Sequence, residues 1–159
     1  MNHPIVKAFI TLSRRAQPMM SDGDIALLPK DYYSYSKRIH TEHTFIFDIA
    51  ALHGGQVAGE ISLRIGDSAE QFYLGHIGYH VDPPYRGHGY AAKACLLCAP
   101  IFKGFGMRHV VITTDPTNQP SIKTCLRLGC ELETTVYVPE QVKRHLEISD
   151  VKNRYIWTL

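Results

Sequence analysis

The sequence predicts an α/β (α+β) fold built on a mostly antiparallel sheet, and three observations carry that prediction. Val57, Gly59, Ile61, Leu63 and Ile65 alternate with Gln56, Ala58, Glu60, Ser62 and Arg64, the period of two that marks a strand with one buried face. After Pro83-Pro84 the period lengthens, because Ala91, Ala94, Cys95, Leu97, Cys98 and Ile101 recur at helical spacing. Beyond that helix the pattern reads strand, helix, strand, strand, so a β-meander is continued by alternating elements in packed layers.

Residues 1–43 carry the weakest pattern. They are polar, hold Tyr32, Tyr33 and Tyr35, and are punctuated by Pro18, Asp22-Gly23 and Pro29, so one or two short helices are expected there without defined ends. Thr44–Leu52 reads as a strand, and His53-Gly54-Gly55 is a turn that folds it against Val57–Ile65. Gly66-Asp67 marks the next turn, and Phe72–Val81 is read as the third strand of the antiparallel meander. The helix that follows stops at Gly104 and Gly106, Arg108–Thr114 is a buried strand, and a second helix runs from about Pro120 to Leu128 with Gly129 as its cap. Glu131–Val138 and Asn153–Leu159 are two final strands, joined by a polar segment, Pro139–Asp150. With no repeat and no low-complexity linker, residues 1–159 are read as one domain.

Composition narrows the function. The chain is 45% hydrophobic and 20% charged, with a formal net charge of +2, which suits an ordinary globular protein and lacks the basic excess of a dedicated nucleic-acid binder. No apolar run approaches the ~20 residues of a membrane span. The apolar stretch Ile5–Leu12 is broken by Lys7 and has no cleavage site of the signal-peptide kind. Cys95 and Cys98 form a C-x-x-C, which zinc or thiol-redox chemistry would use. All four cysteines fall in helical segments or at a helix end, however, so free cysteines packed as small hydrophobes are the expectation, in a reduced, cytoplasmic protein without a metal.

The most informative stretch is Val81-Asp82-Pro83-Pro84-Tyr85-Arg86-Gly87-His88-Gly89-Tyr90-Ala91. A strand ends, two prolines stiffen the exit, and an arginine and two glycines lead into a helix. Glycines bring backbone N–H groups close to an anion, and the helix adds its own unpaired N–H groups and positive dipole end. Arg86 adds charge or anchors the loop. The arrangement is a phosphate cradle. Gly87-x-Gly89-x-x-Ala92, with Asp115 after the next strand, also fits a dinucleotide fingerprint, but that loop belongs directly after a strand of a parallel sheet. A plain glycine-rich turn is the other reading of the same residues.

Residues 57–130 resemble the GNAT acetyltransferase family, whose motif V-x-P-x-x-R/Q-x-x-G-x-G/A is filled in register by Val81, Pro83, Arg86, Gly89 and Ala91. A second family pattern, an asparagine with a small residue three places on and a glycine eleven places on, is met by Asn118, Ser121 and Gly129. The resemblance implies the GNAT fold, a mixed sheet with a central splayed strand pair and helices on both faces. It implies acetyl-CoA as co-substrate and no metal. On this reading Tyr79, His80 and Val81 pair through their backbone with the pantetheine arm, and a backbone N–H near Val81 polarises the thioester carbonyl. Residues Arg86, Gly87, His88, Gly89, Tyr90 and Ala91 hold the pyrophosphate, and Asn118 and Ser121 contact the arm.

The catalytic groups are less defined. Many family members carry a tyrosine seven places after the motif asparagine as the acid for the departing thiolate; here that place holds Cys125. A thiol can donate a proton, and Tyr79, Tyr137 or water are alternatives. Candidate bases are Glu60, His76, His80 and Asp82, with His76 and His80 expected to share a strand face with Phe72 and Leu74. The expected activity is acetyl transfer to a primary amine on a small molecule or peptide, within a ternary complex. A CoA-binding domain without efficient chemistry is the alternative, and a homodimer is one of the oligomeric states left open. The tyrosine cluster near Tyr33 and the 139–150 segment are candidates to line the acceptor site.

Overall fold

The alternation at Val57–Ile65 forms the centre of a larger sheet than the meander alone. The computed structural model describes residues 2–159. Helix α1 (Pro4–Arg14) is followed by β1 (Met20–Ser21), β2 (Ile25–Tyr33), β3 (His43–Ala51) and β4 (Gln56–Ile65), then a short helix α2 (Ala69–Leu74) and β5 (Ile77–Val81). These strands form one antiparallel sheet in the order β1-β2-β3-β4-β5. A 3₁₀ turn at Pro83–Tyr85 leads into α3 (Tyr90–Gly104), β6 (His109–Thr114), α4 (Gln119–Arg127), β7 (Glu131–Tyr137), α5 (Glu140–Leu146) and β8 (Val151–Thr158). The last three strands make a second antiparallel sheet, β6-β8-β7.

Three expectations are corrected. The N-terminal region holds one helix and also the strands β1 and β2. Pro29 obscured β2 because proline removes a ladder donor, and the structure accommodates it at a bulge between Pro29 and Asp31. Phe72 and Leu74 are helical: the Ser68 hydroxyl accepts from the Gln71 N–H at 3.0 Å and caps α2, so the strand begins only at Ile77 and no strand face joins these two residues to His76 and His80. The polar segment after β7 contains α5, which Glu140 steadies through Lys143 at 2.8 Å and Arg144 at 2.9 Å, and which buries Leu146.

The core lies on one face of the first sheet. Phe9 of α1 meets Phe45 and Phe47 edge-on, with ring centroids 5.4 and 5.1 Å away. Ile61 and Leu63 of β4 join the same cluster with Cys95, Cys98, Ile101 and Phe102 of α3. All four cysteines are free and buried, and among the described residues no cluster of three His, Cys, Asp or Glu side chains could hold a metal ion. No described helix is long and apolar enough to cross a membrane.

The two sheets touch at a seam. Gly75 bridges Ile112, the His76 N–H donates to Val111 O at 2.7 Å, and the Val111 N–H donates to His76 Nδ1 at 2.8 Å. Beyond this point β5 and β6 belong to different sheets, so they form a splayed pair with a cleft between them.

The seam makes stability depend on pH. Burial holds the His76 pKa below its ordinary value. The unfolded chain therefore binds a proton near pH 6.5 that the folded chain resists, and stability present above pH 6.5 is lost as the pH falls below it. His43 is lowered by burial in the same way. The melting temperature is expected to drop between pH 7 and pH 5, and to drop less in His76→Asn, whose Oδ1 can accept from Val111 without titrating. An equal slope in both proteins, measured by thermal melts across that range, would show that His76 does not carry the effect.

Candidate active site

The cleft is built on the free edge of β5. Arg64 N–H donates to His76 O, and the Asp82 N–H donates to Ala58 O at 2.8 Å, so the even-numbered residues of β5 use their main chain against β4. In an antiparallel ladder the alternate residues then direct N–H and C=O to the other side. Ile77, Tyr79 and Val81 therefore present main-chain groups to the cleft. Arg86 takes one of them, because its Nε donates to Val81 O at 2.8 Å. Of the two roles open to Arg86, anchoring the loop is the one this geometry supports.

At the end of that edge the chain turns through the 3₁₀ element into the glycine loop. Gly89 caps α3 in the left-handed region at φ 74°, without a side-chain cap. The first turn of α3 thus keeps N–H groups that have no intrahelical partner, and no acidic residue lies there. Arg86, Gly87 and His88 are exposed, and His88 is fixed by a 3.1 Å contact from Nδ1 to Tyr85 O. One cation was missed by the sequence reading: a Cβ added at Gly89 would lie 2.5 Å from Arg127 Nη1. Arg127 belongs to a helix distant in sequence, and no motif marks it.

The cleft encloses about 230 Å³, and its lining includes Arg64, Tyr79, Thr114, Asn118, Ser121 and Lys152. Tyr79 Oη lies 2.8 Å from Ser121 Oγ, and burial raises its pKa. Asn118 caps α4 by accepting the Ser121 N–H on Oδ1 at 3.2 Å, which leaves its amide nitrogen for a ligand. Lys152 pairs with Asp115 at 2.5 Å, and the lysine together with the Ser149 hydroxyl holds the Asp115 pKa down against the effect of burial.

The candidate acid–base groups do not converge on one place. Glu60 and His80 face each other across β4 and β5 on the side of the sheet away from the core. Lys30 Nζ bonds Glu60 at 2.7 Å and Asp48 at 3.0 Å, while His80 Nε2 lies 3.5 Å from Asp82. His76 sits at the seam instead, where its Nδ1 lone pair is occupied by Val111 and cannot take a proton without breaking that bond. Cys125 is fully buried beside Cys130, which raises its thiol pKa, and it does not line the cleft. Tyr79, not Cys125, places a proton-bearing group there. Tyr137 projects to solvent at 83% exposure on β7.

The family model described as the acetyltransferase (GNAT) family matches residues 11–130. The chain belongs to that family. Among solved structures it is similar to the microcin C7 self-immunity acetyltransferase MccE in complex with acetyl-CoA and AMP, at 25% identity and a TM-score of 0.57 over 73% of this chain and 61% of that one. It is also similar in fold to the ribosomal-protein-S5-alanine acetyltransferase of Vibrio fischeri, at 21% identity, a TM-score of 0.56 and 72% and 61% coverage. A third is RimJ of Mycobacterium smegmatis in complex with CoA-disulfide, at 21% identity, a TM-score of 0.56 and 72% and 53% coverage. The matched region spans little more than half to three fifths of these structures. A search among curated proteins gives no significant match.

Proposed function

We propose that the chain transfers an acetyl group from acetyl-CoA to a primary amine by direct attack in a ternary complex. The observation that carries this reading is the continuity of one edge: outward main-chain groups of β5 run into a glycine loop and a helix N-terminus without a side-chain cap, with Arg127 alongside. That sequence of donors suits an amide-bearing arm ending in a pyrophosphate. Acetyl-CoA supplies the activated thioester.

The chain's own groups supply the rest. Main-chain groups of Ile77 and Tyr79 pair with the amides of the arm, and the Val81 N–H polarises the thioester carbonyl. The N–H groups of residues 87–91 hold the pyrophosphate, with Arg127 adding charge and Asn118 offering its amide to the arm. As the amine nitrogen bonds to the acyl carbon it gives up a proton, and the sulfur gains one as its bond to that carbon breaks. Glu60 and His80 stand on the acceptor face to receive the first proton. Tyr79 stands in the cleft to deliver the second.

Tyr79→Phe is expected to lower kcat about a hundredfold, the modest end for acid catalysis because a thiolate leaves readily, with the acetyl-CoA KM unchanged. Cys125→Ala should leave kcat within twofold of the parent. The reverse pattern in steady-state rates would return the acid to Cys125. The reading as a whole is tested by calorimetric titration with acetyl-CoA beside NAD, then turnover on small amines and on peptides with a free N-terminus. Binding of acetyl-CoA but not NAD, followed by turnover, is expected. Failure to bind acetyl-CoA would overturn the reading, and binding without turnover on any amine would leave a CoA-binding domain.

A further inference from the structure

Arg64 is a cation with no counter-ion. It lies on β4, on the same face as Glu60 and Ser62, and its guanidinium is laid over β5 at Gly78, where an added Cβ would be 2.7 Å from Nη2. Its contacts are Leu74 O at 3.4 Å, Gly75 O at 3.3 Å and Ser62 Oγ at 3.4 Å, all beyond the usual range for N–H···O bonds. Arg38, Arg144 and Arg154 each pair with a glutamate; among the described residues no carboxylate pairs with Arg64. Its side chain is partly buried, and desolvation lowers its pKa to about 10.

A guanidinium partly withdrawn from water with only long, neutral partners is left poorly satisfied, and the partner that matches its planar fork is a carboxylate. Arg64 also lines the cleft. The other ionised groups there, Lys152 and Asp115, neutralise each other, so the chamber carries one uncompensated positive charge. Thr114 lines the same chamber, and its hydroxyl is buried without a partner. Ser62 and Gly78, where the guanidinium lies, form the cross-strand row two residues along from Glu60 and His80, which puts it about 7 Å from the proposed proton acceptors.

We propose that Arg64 binds a carboxylate on the acceptor, so that the amines this site takes are amino-acid-like molecules rather than simple amines or interior peptide segments. This inference rests on the acetyltransferase reading. The row spacing lets one small molecule reach both ends, with its carboxylate on Arg64 and its nitrogen toward Glu60 and His80. Gly78 is needed because any side chain would displace the guanidinium.

The test uses two product-like probes, N-acetylglycine, which has the carboxylate, and N-methylacetamide, which lacks it. Each is titrated into the full chain carrying nitrogen-15 arginine, with the Arg64 Nε–H signal as readout. N-acetylglycine is expected to shift that signal and to bind roughly tenfold more tightly than N-methylacetamide. Arg64→Lys should lose the preference while its acetyl-CoA affinity, measured by calorimetry, stays within about twofold. A silent Arg64 signal, or equal affinity for the two probes, overturns the carboxylate assignment in the parent protein without recourse to any variant. A protein that binds acetyl-CoA but ignores the carboxylate overturns this inference alone. A protein that binds no acetyl-CoA overturns the acetyltransferase reading and this inference with it.

Discussion

Gly89→Val is expected to weaken acetyl-CoA binding about a hundredfold, a loss of about 2.7 kcal/mol, while the chain still folds. Gly89 sits at φ 74°, where a side chain costs about 1–2 kcal/mol and a branched one is least tolerated. The new Cβ would meet Arg127 Nη1 at 2.5 Å. Arg127 is exposed and meets this Cβ only with the far end of its side chain, so it yields. The loop backbone then relaxes toward negative φ, and the N–H groups proposed to hold the pyrophosphate turn away. Calorimetry reads the affinity, and a thermal melt should show only the modest drop that strain of this size produces. Undiminished affinity would mean that the loop backbone is not the phosphate cradle.

Gly75→Val should act on the whole molecule. Gly75 combines φ 72° with close approach: an added Cβ would lie 2.8 Å from Val111 O and 3.1 Å from Thr113 N. Both neighbours are backbone in β6 and cannot swing aside. The seam must part, which breaks the Gly75–Ile112 bridge and strains the two His76–Val111 bonds. Overpacking and backbone strain together are expected to remove about 3 kcal/mol, read as a melting temperature lower by about 6–12 °C for a domain of this size. Acetyl-CoA affinity should fall as well, because the cleft's width is set at the seam. A melt within 2 °C of the parent would show that the two sheets are held elsewhere.

Legibility in the sequence followed the strength of local pattern. The β3–β4 hairpin, α3, β6 and α4 could be read because each carries a clean period of two or 3.6 bounded by glycine or proline. β2 could not, because Pro29 argues against a ladder and the bulge that admits it depends on β3. α2 was hidden by an apolar stretch, Phe72 to Leu74, that serves a helix as well as a strand; the Ser68 cap was its one local signal. At the site, the glycine loop before α3 was legible because its conformation needs specific residues at fixed places. Arg127, Arg64 and Lys152 were not, since each reaches the cleft from an element distant in sequence. His76 illustrates the limit from the other side: its residue type suits a base, and only the bond from Val111 reveals it as a fastening.

The alternation along β5 has a consequence for how the chain can vary. Its odd-numbered residues offer their main chain to the cleft, while its even-numbered residues, Gly78 and His80, lie on the face away from the core. Two tasks are thus interleaved on five residues at single-residue resolution. Deleting or inserting one residue would exchange every assignment at once, sending Tyr79 to water and His80 into the core. A one-residue insertion is therefore expected to be tolerated in a turn such as His53–Gly55, where nothing downstream keeps count, and not within β5.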